Sequence, residues 1–237
     1  MSEVIDDSGR EALHQEVNRW IQNALGALKA GKLGDAKDLF LRVVSRAPAF
    51  ADGYYNLGVI CDLEHEPEQA IRYYTQALKH NAQHAECLTN MGAAHSNAGR
   101  YSIAIPFFKR AITSNPNLIQ PRVNLGITYR HLEQPAQALE TLSAAAQMDP
   151  SNAYILYLAG CAAQESGRPT EAERFCKAAL HCRPNYTDAA LLLVDVLIEM
   201  ENAEEAVSLL EGFMGQNPND ATAGECLLRI RQSFQAG

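Results

Sequence analysis

The trio Asn-Leu-Gly at residues 56–58 returns as Asn-Met-Gly at 90–92 and as Asn-Leu-Gly at 124–126, each time 34 residues later. A fixed period of that length constrains the fold more than any single motif does. Each unit can bury its apolar face only against its neighbours, so the chain stacks as an array instead of closing around one core. Blocks of 34 laid out from Val17 align six times without an insertion and end at Asp220.

Position 20 of every block is alanine: Ala36, Ala70, Ala104, Ala138, Ala172 and Ala206. Position 8 reads Ala24, Gly58, Gly92, Gly126, Gly160 and Val194, and position 24 is bulky except at Cys176. Small residues at 8 and 20 let two helices approach, and larger side chains fill the space around the contact. Gly31, Gly99 and Gly167 at position 15 suit the left-handed residue after a helix. Pro67, Pro135 and Pro169 suit the first turn of the next helix, and the position 32 prolines end it. Each block reads as helix, turn, helix, turn.

These residues resemble the tetratricopeptide repeat family, on Trp20, Gly31, Ala36, Phe40 and Pro48 of the first block and Tyr54, Leu57, Gly58, Ala70, Tyr74 and Ala77 of the second. The resemblance covers residues 17–220. It implies an all-α fold, a right-handed superhelical solenoid of antiparallel helix pairs whose first helices line a concave groove. Residues 1–16 form an N-terminal extension, partly helical, with Ser8 and Glu11 as a capping box and a first helix from near Gly9 towards Ala30. Residues 221–237 form a C-terminal capping helix behind Asp220 as N-cap. Asn23, Arg122, Val194 and Phe213 depart from the family pattern and predict less regular packing in their blocks. Pro106, several residues into a second helix, predicts a local kink.

Net charge −8 and a sequence pI near 5.4 argue against a basic surface that tracks nucleic acid. The acidic, polar start lacks the pattern of a secretory or lipoprotein signal, and no apolar run predicts membrane insertion, so the expected location is cytoplasmic. The six cysteines, without CxxC spacing, read as reduced thiols packed as small hydrophobes. His80 and His84 have the spacing of helical metal ligands but read as last-turn imidazoles of a second helix. No metal, cofactor or catalytic group is predicted, and the chain reads as a non-enzyme.

Position 6 faces away from the core positions, on the side that the family uses as its groove. Asn56, Asn90 and Asn124 there form a three-block row of amides, each able to donate to and accept from a peptide bond. The row resembles the asparagine ladder of O-GlcNAc transferase repeats, and it stops at Leu158 and Leu192. The cation pattern that clamps acidic chaperone tails is missing. Asp52, Tyr55, Arg130 and Tyr157 join the asparagines as peptide-binding candidates, and the acidic groove favours a neutral or basic extended segment. The predicted function is a protein-protein interaction adaptor or scaffold binding an extended peptide or partner helix. A targeting subunit for a glycosyltransferase-like enzyme, an assembly factor for an envelope or pilus machine, and self-association are the alternatives.

Overall fold

The computed structural model describes residues 7–235. Among them are thirteen α-helices: α1 (Asp7–Lys29), α2 (Leu33–Arg46), α3 (Ala51–Leu63), α4 (Pro67–His80), α5 (Ala85–Asn97), α6 (Tyr101–Ser114), α7 (Gln120–His131), α8 (Pro135–Met148), α9 (Ala153–Glu165), α10 (Pro169–Cys182), α11 (Thr187–Glu199), α12 (Ala203–Gln216) and α13 (Ala221–Gln235). They form two compact units that divide between Asn115 and Pro116. In the first, α1 pairs with α2, α3 with α4 and α5 with α6; in the second, α7 pairs with α8, α9 with α10 and α11 with α12.

One contact explains each of the four middle pairs. A Cβ built on Gly58 would lie 2.4 Å from the Tyr74 ring, on Gly92 2.6 Å from Phe108, and on Gly126 2.4 Å from Leu142. On Gly160 it would lie 3.0 Å from the Cys176 sulfur, the smallest of the four partners. Position 8 therefore meets position 24 across each pair, and glycine is required where that partner is large. Tyr74, Phe108 and Leu142 are fully buried on the far side of the contact.

The turn inside each pair is the same in all six blocks. Gly31, Gly99 and Gly167 have φ of +71°, +71° and +67°, and His65, Glu133 and Glu201 at the equivalent places have +61°, +55° and +62°. The next backbone N–H reaches back to close a Schellman turn each time, as in Lys32 to Ala27 at 2.9 Å and Glu66 to Cys61 at 2.8 Å. A side chain in this conformation is strained, so His65→Gly, Glu133→Gly and Glu201→Gly should each stabilise by about 0.5–1 kcal/mol. Gly99→Ala should cost a similar amount, although nothing lies within 4 Å of its added methyl. Urea denaturation of the four variants measures both signs.

Several departures have local reasons. Pro106 does not interrupt α6, which runs unbroken; both Pro106 and Ser102, whose carbonyl loses its donor, lie on the exposed face where water replaces the bond. Arg122 donates to the carbonyls of Pro116 (2.7 Å) and Leu118 (3.0 Å), and α7 begins one residue later than its counterparts in the neighbouring blocks. Val194 and Phe213 are buried, so block six packs larger side chains at small-residue positions. The first helix starts at Asp7, ahead of Ser8; the Ser8 side chain and its expected cap lie outside the described residues. Asp220 does cap α13, its carboxylate accepting from Ala223 N–H at 3.0 Å, and α13 packs on α11 and α12 through buried Ala223 and Ile230.

Candidate functional site

In the first unit, α3 presents a face built from its second, fifth, sixth and ninth positions, and α5 one from its second, sixth and ninth. Asp52, Tyr55 and Asn56 from α3 join His84 and Glu86 around a groove of about 620 Å³. Asn90, with Val59, Leu63 and Ala93, lines a second hollow of about 540 Å³ on the same pair of helices. Tyr55 links the two: its ring lies 4.7 Å from the His84 ring and 6.2 Å from the ring of Tyr74, whose hydroxyl accepts from Asn90. Burial raises the Tyr55 pKa, with Glu86 and Asp52 adding to the shift, so its hydroxyl stays protonated and able to donate.

The asparagines differ in their surroundings. Asn56 donates to the Asp52 carbonyl of its own helix at 2.7 Å, a bond that does not use its amide oxygen. Asn90 donates to the Tyr74 hydroxyl at 3.3 Å, and that hydroxyl donates to the Asp62 carboxylate. Burial raises the Asp62 pKa while the Tyr74 bond opposes the shift. Asn90 thus braces a half-buried chain of polar groups as well as facing the groove. Asn90→Ala should cost about 1 kcal/mol through the lost bond, whereas Asn56→Ala should stay within about 0.5 kcal/mol. Thermal unfolding of the two single variants separates them.

In the second unit, Asn124 accepts from Gln120 Nε2 at 2.9 Å. Arg130 is held by Glu165, its Nε donating to both carboxylate oxygens at 3.0 and 2.9 Å. The two charges neutralise one another, and that bond raises the Arg130 pKa. Tyr157 packs against Tyr186 with ring centroids 5.3 Å apart, its pKa raised first by burial and then by its bond to Cys161. Gln120, Glu165 and Tyr186 therefore already engage the three candidates of this unit.

His84 was misplaced by sequence reasoning. It lies beyond the end of α4, as N-cap of α5, with Nδ1 accepting from Cys87 N–H at 3.3 Å. His80 ends α4 and stacks on Tyr54 at 5.6 Å, so helical metal-ligand spacing does not apply to the pair. The available signal was the position itself: Asn152 and Asp220, 68 and 136 residues further on, cap α9 and α13 in the same way. Cys61, Glu64 and Glu66 bring their ligand atoms within 4.8 Å of one another. Lys37 Nζ, 2.5 Å from Glu64 and 3.7 Å from Glu66, already supplies the positive charge there. Four of the six cysteines are buried, and burial pushes the Cys87 and Cys176 thiols up to about 12, leaving them protonated. Cys182, by contrast, is exposed.

No helix among the described residues is long and apolar enough to cross a membrane. Family descriptions of the tetratricopeptide repeat match residues 21–64, 51–84, 84–115, 123–187 and 163–225. The type IV pilus assembly protein PilF of Pseudomonas aeruginosa is 30% identical over 139 residues, 56% of this chain and 53% of that protein. Protein O-mannosyl-transferase TMTC3 of Homo sapiens is 25% identical over 155 residues, 59% of this chain but 17% of that protein. The chain thus spans about half the length of the first relative and far less of the second. Among solved structures, P. aeruginosa PilF superposes with a TM-score of 0.72 at 22% identity, covering 95% of this chain and 99% of that one. YrrB, described as a repeat protein with an unusual peptide-binding site, gives 0.64 at 18% identity over 76% and 94% of the two chains. At these identities the structural likeness carries the fold alone. With paired helices of constant spacing, glycine contacts across each middle pair and repeat matches along most of its length, the chain belongs to the tetratricopeptide repeat family.

Proposed function

We propose that this protein is a non-catalytic adaptor that holds an extended segment of a partner protein against the α3–α5 face, with Asn56 and Asn90 there as amide contacts for the segment's backbone, and that Asn124 on α7 of the second unit offers an amide contact of the same kind. The observation that carries this reading is the groove of the first unit, where Asp52, Tyr55 and Asn56 meet Glu86 and His84. Amides that both donate and accept suit a peptide backbone in either sense, and tyrosines add contact area at small entropic cost. The six repeats at 17–220 are the working part, flanked by the segments at 1–16 and 221–237, and a cytoplasmic location fits the composition. Arg130 and Tyr157, the candidates of the second unit, would meet a partner only together with Glu165 and Tyr186, which they already contact, and a second copy of the chain is an alternative partner.

The likeness to PilF favours a second reading, a subunit that helps to assemble a pilus or related envelope machine. The transferase relative is matched over 17% of its length, so its chemistry is not carried over. Affinity capture with the wild type and an Asn56→Ala, Asn90→Ala, Asn124→Ala variant tests the ladder. Partners lost from a variant that keeps its helical circular dichroism support it. A folded variant that retains every partner overturns it. A pilus or secretion protein among the lost partners selects the second reading.

A further inference from the structure

The α3–α5 face is uneven in charge along its length. At its N-terminal end stand the carboxylates of Asp52 and Glu86, 59% and 50% exposed, on either side of the His84 ring, which is 10% exposed. The lining of the larger groove includes no lysine or arginine. At the other end, Val59, Leu63, Ala93 and Ala94 line the second hollow beside the polar groups of Asp62, His65 and Asn97; the Asp62 carboxylate there accepts from the Tyr74 hydroxyl, and Leu63 is 56% exposed. An apolar side chain in that hollow would remove Leu63 from water.

Two carboxylates converge on the one His84 ring. An Asp52 oxygen lies 3.2 Å from Nε2 and a Glu86 oxygen 3.3 Å from Nδ1, the nitrogen that Cys87 N–H also approaches. Two exposed carboxylates thus share one imidazole, and a cation entering beside the ring would give each of them a charged donor. The ring faces of Tyr55 and His84 are the wall against which its alkyl stem would lie.

From this arrangement we infer that the groove is a two-point reader of an extended segment: Asp52 and Glu86 select an arginine or lysine side chain, and the hollow lined by Val59 and Leu63 takes an apolar side chain. The inference rests on the groove reading above and adds a specificity to it. Asp52 and Leu63 are eleven residues apart on α3, roughly 16 Å along a helix axis. An extended chain covers that distance in about five residues. Tyr55, Asn56 and Asn90 lie between the two points and face the intervening backbone.

Selection of a randomised decapeptide library on the immobilised full chain tests this reading. The expected result is a pool enriched for arginine or lysine about five residues from leucine, isoleucine or phenylalanine. With an Asp52→Asn, Glu86→Gln variant the basic preference should vanish while the apolar one remains. Both substitutions keep an acceptor oxygen, and the amide introduced at position 52 can still accept the His84 N–H, so the fold should persist. One enriched peptide, synthesised with glutamate in place of its basic residue, should bind the wild type roughly tenfold more weakly or worse. On the variant the two peptides should bind alike. Enriched peptides without a basic residue would overturn the two-point reader and leave groove binding standing. A library from which nothing is enriched, or whose enriched peptides bind the triple asparagine variant unchanged, would overturn both.

Discussion

Truncating Phe108 to alanine should lower the unfolding free energy by about 3–5 kcal/mol, the range for deleting a buried aromatic ring. Phe108 is fully buried, and its ring packs directly against Gly92 across the α5–α6 pair. Their backbones are held apart by the other contacts of the pair, so the space left cannot fully collapse. Urea denaturation should show a lower midpoint, and a loss below about 1 kcal/mol would mean that the ring does not set the spacing of the pair.

Adding a methyl on the other side of the same contact should also be costly. Gly92→Ala would put Cβ 2.6 Å from one Phe108 carbon and 2.8 Å from another, and an aromatic ring cannot bend away as a flexible side chain would. The expected loss is about 1–3 kcal/mol, set against the small gain that alanine brings to a helix interior. Gly160→Ala is the internal control, because its nearest neighbour is the Cys176 sulfur at 3.0 Å. It should cost less. The double variant Gly92→Ala, Phe108→Ala should lose less than the sum of the two single losses, since the new methyl occupies part of the vacated space. Strict additivity would show that the two residues do not share one contact.

The helix pairs were legible in the sequence because their determinants recur at the same block positions: alanine at 20, small residues at 8 and proline around the turns. The turns were only half legible. Gly31, Gly99 and Gly167 announce a positive φ, but His65, Glu133 and Glu201 adopt the same conformation with no local mark. There the Schellman hydrogen bonds and the packing of the two flanking helices override residue preference. Pro106 shows a strong local signal that does not end a helix: α6 continues through it, with Pro106 on the exposed side.

The groove divides in the same way. Helical periodicity identified Asp52, Tyr55 and Asn56 as sharing a face because that follows from position alone. It could not identify His84, which joins them from the turn that closes the same block and caps the next helix, nor could it find the Asn90–Tyr74–Asp62 chain, whose members lie on three helices. Arg130 carried a sequence expectation of availability that Glu165, 35 residues away, removes by pairing with it. Contacts between blocks depend on the exact rotation of each helix, which a repeat pattern constrains only coarsely.

Amide chemical-shift perturbation in the isotope-labelled protein, on titration with a peptide from the library selection, tests the groove most directly. The account predicts shifts concentrated at Asp52, Tyr55, Asn56, Glu86 and Asn90, with the outward residues of α4 and α6 unmoved. Shifts confined to those outward residues, with the α3–α5 face unchanged, would contradict it.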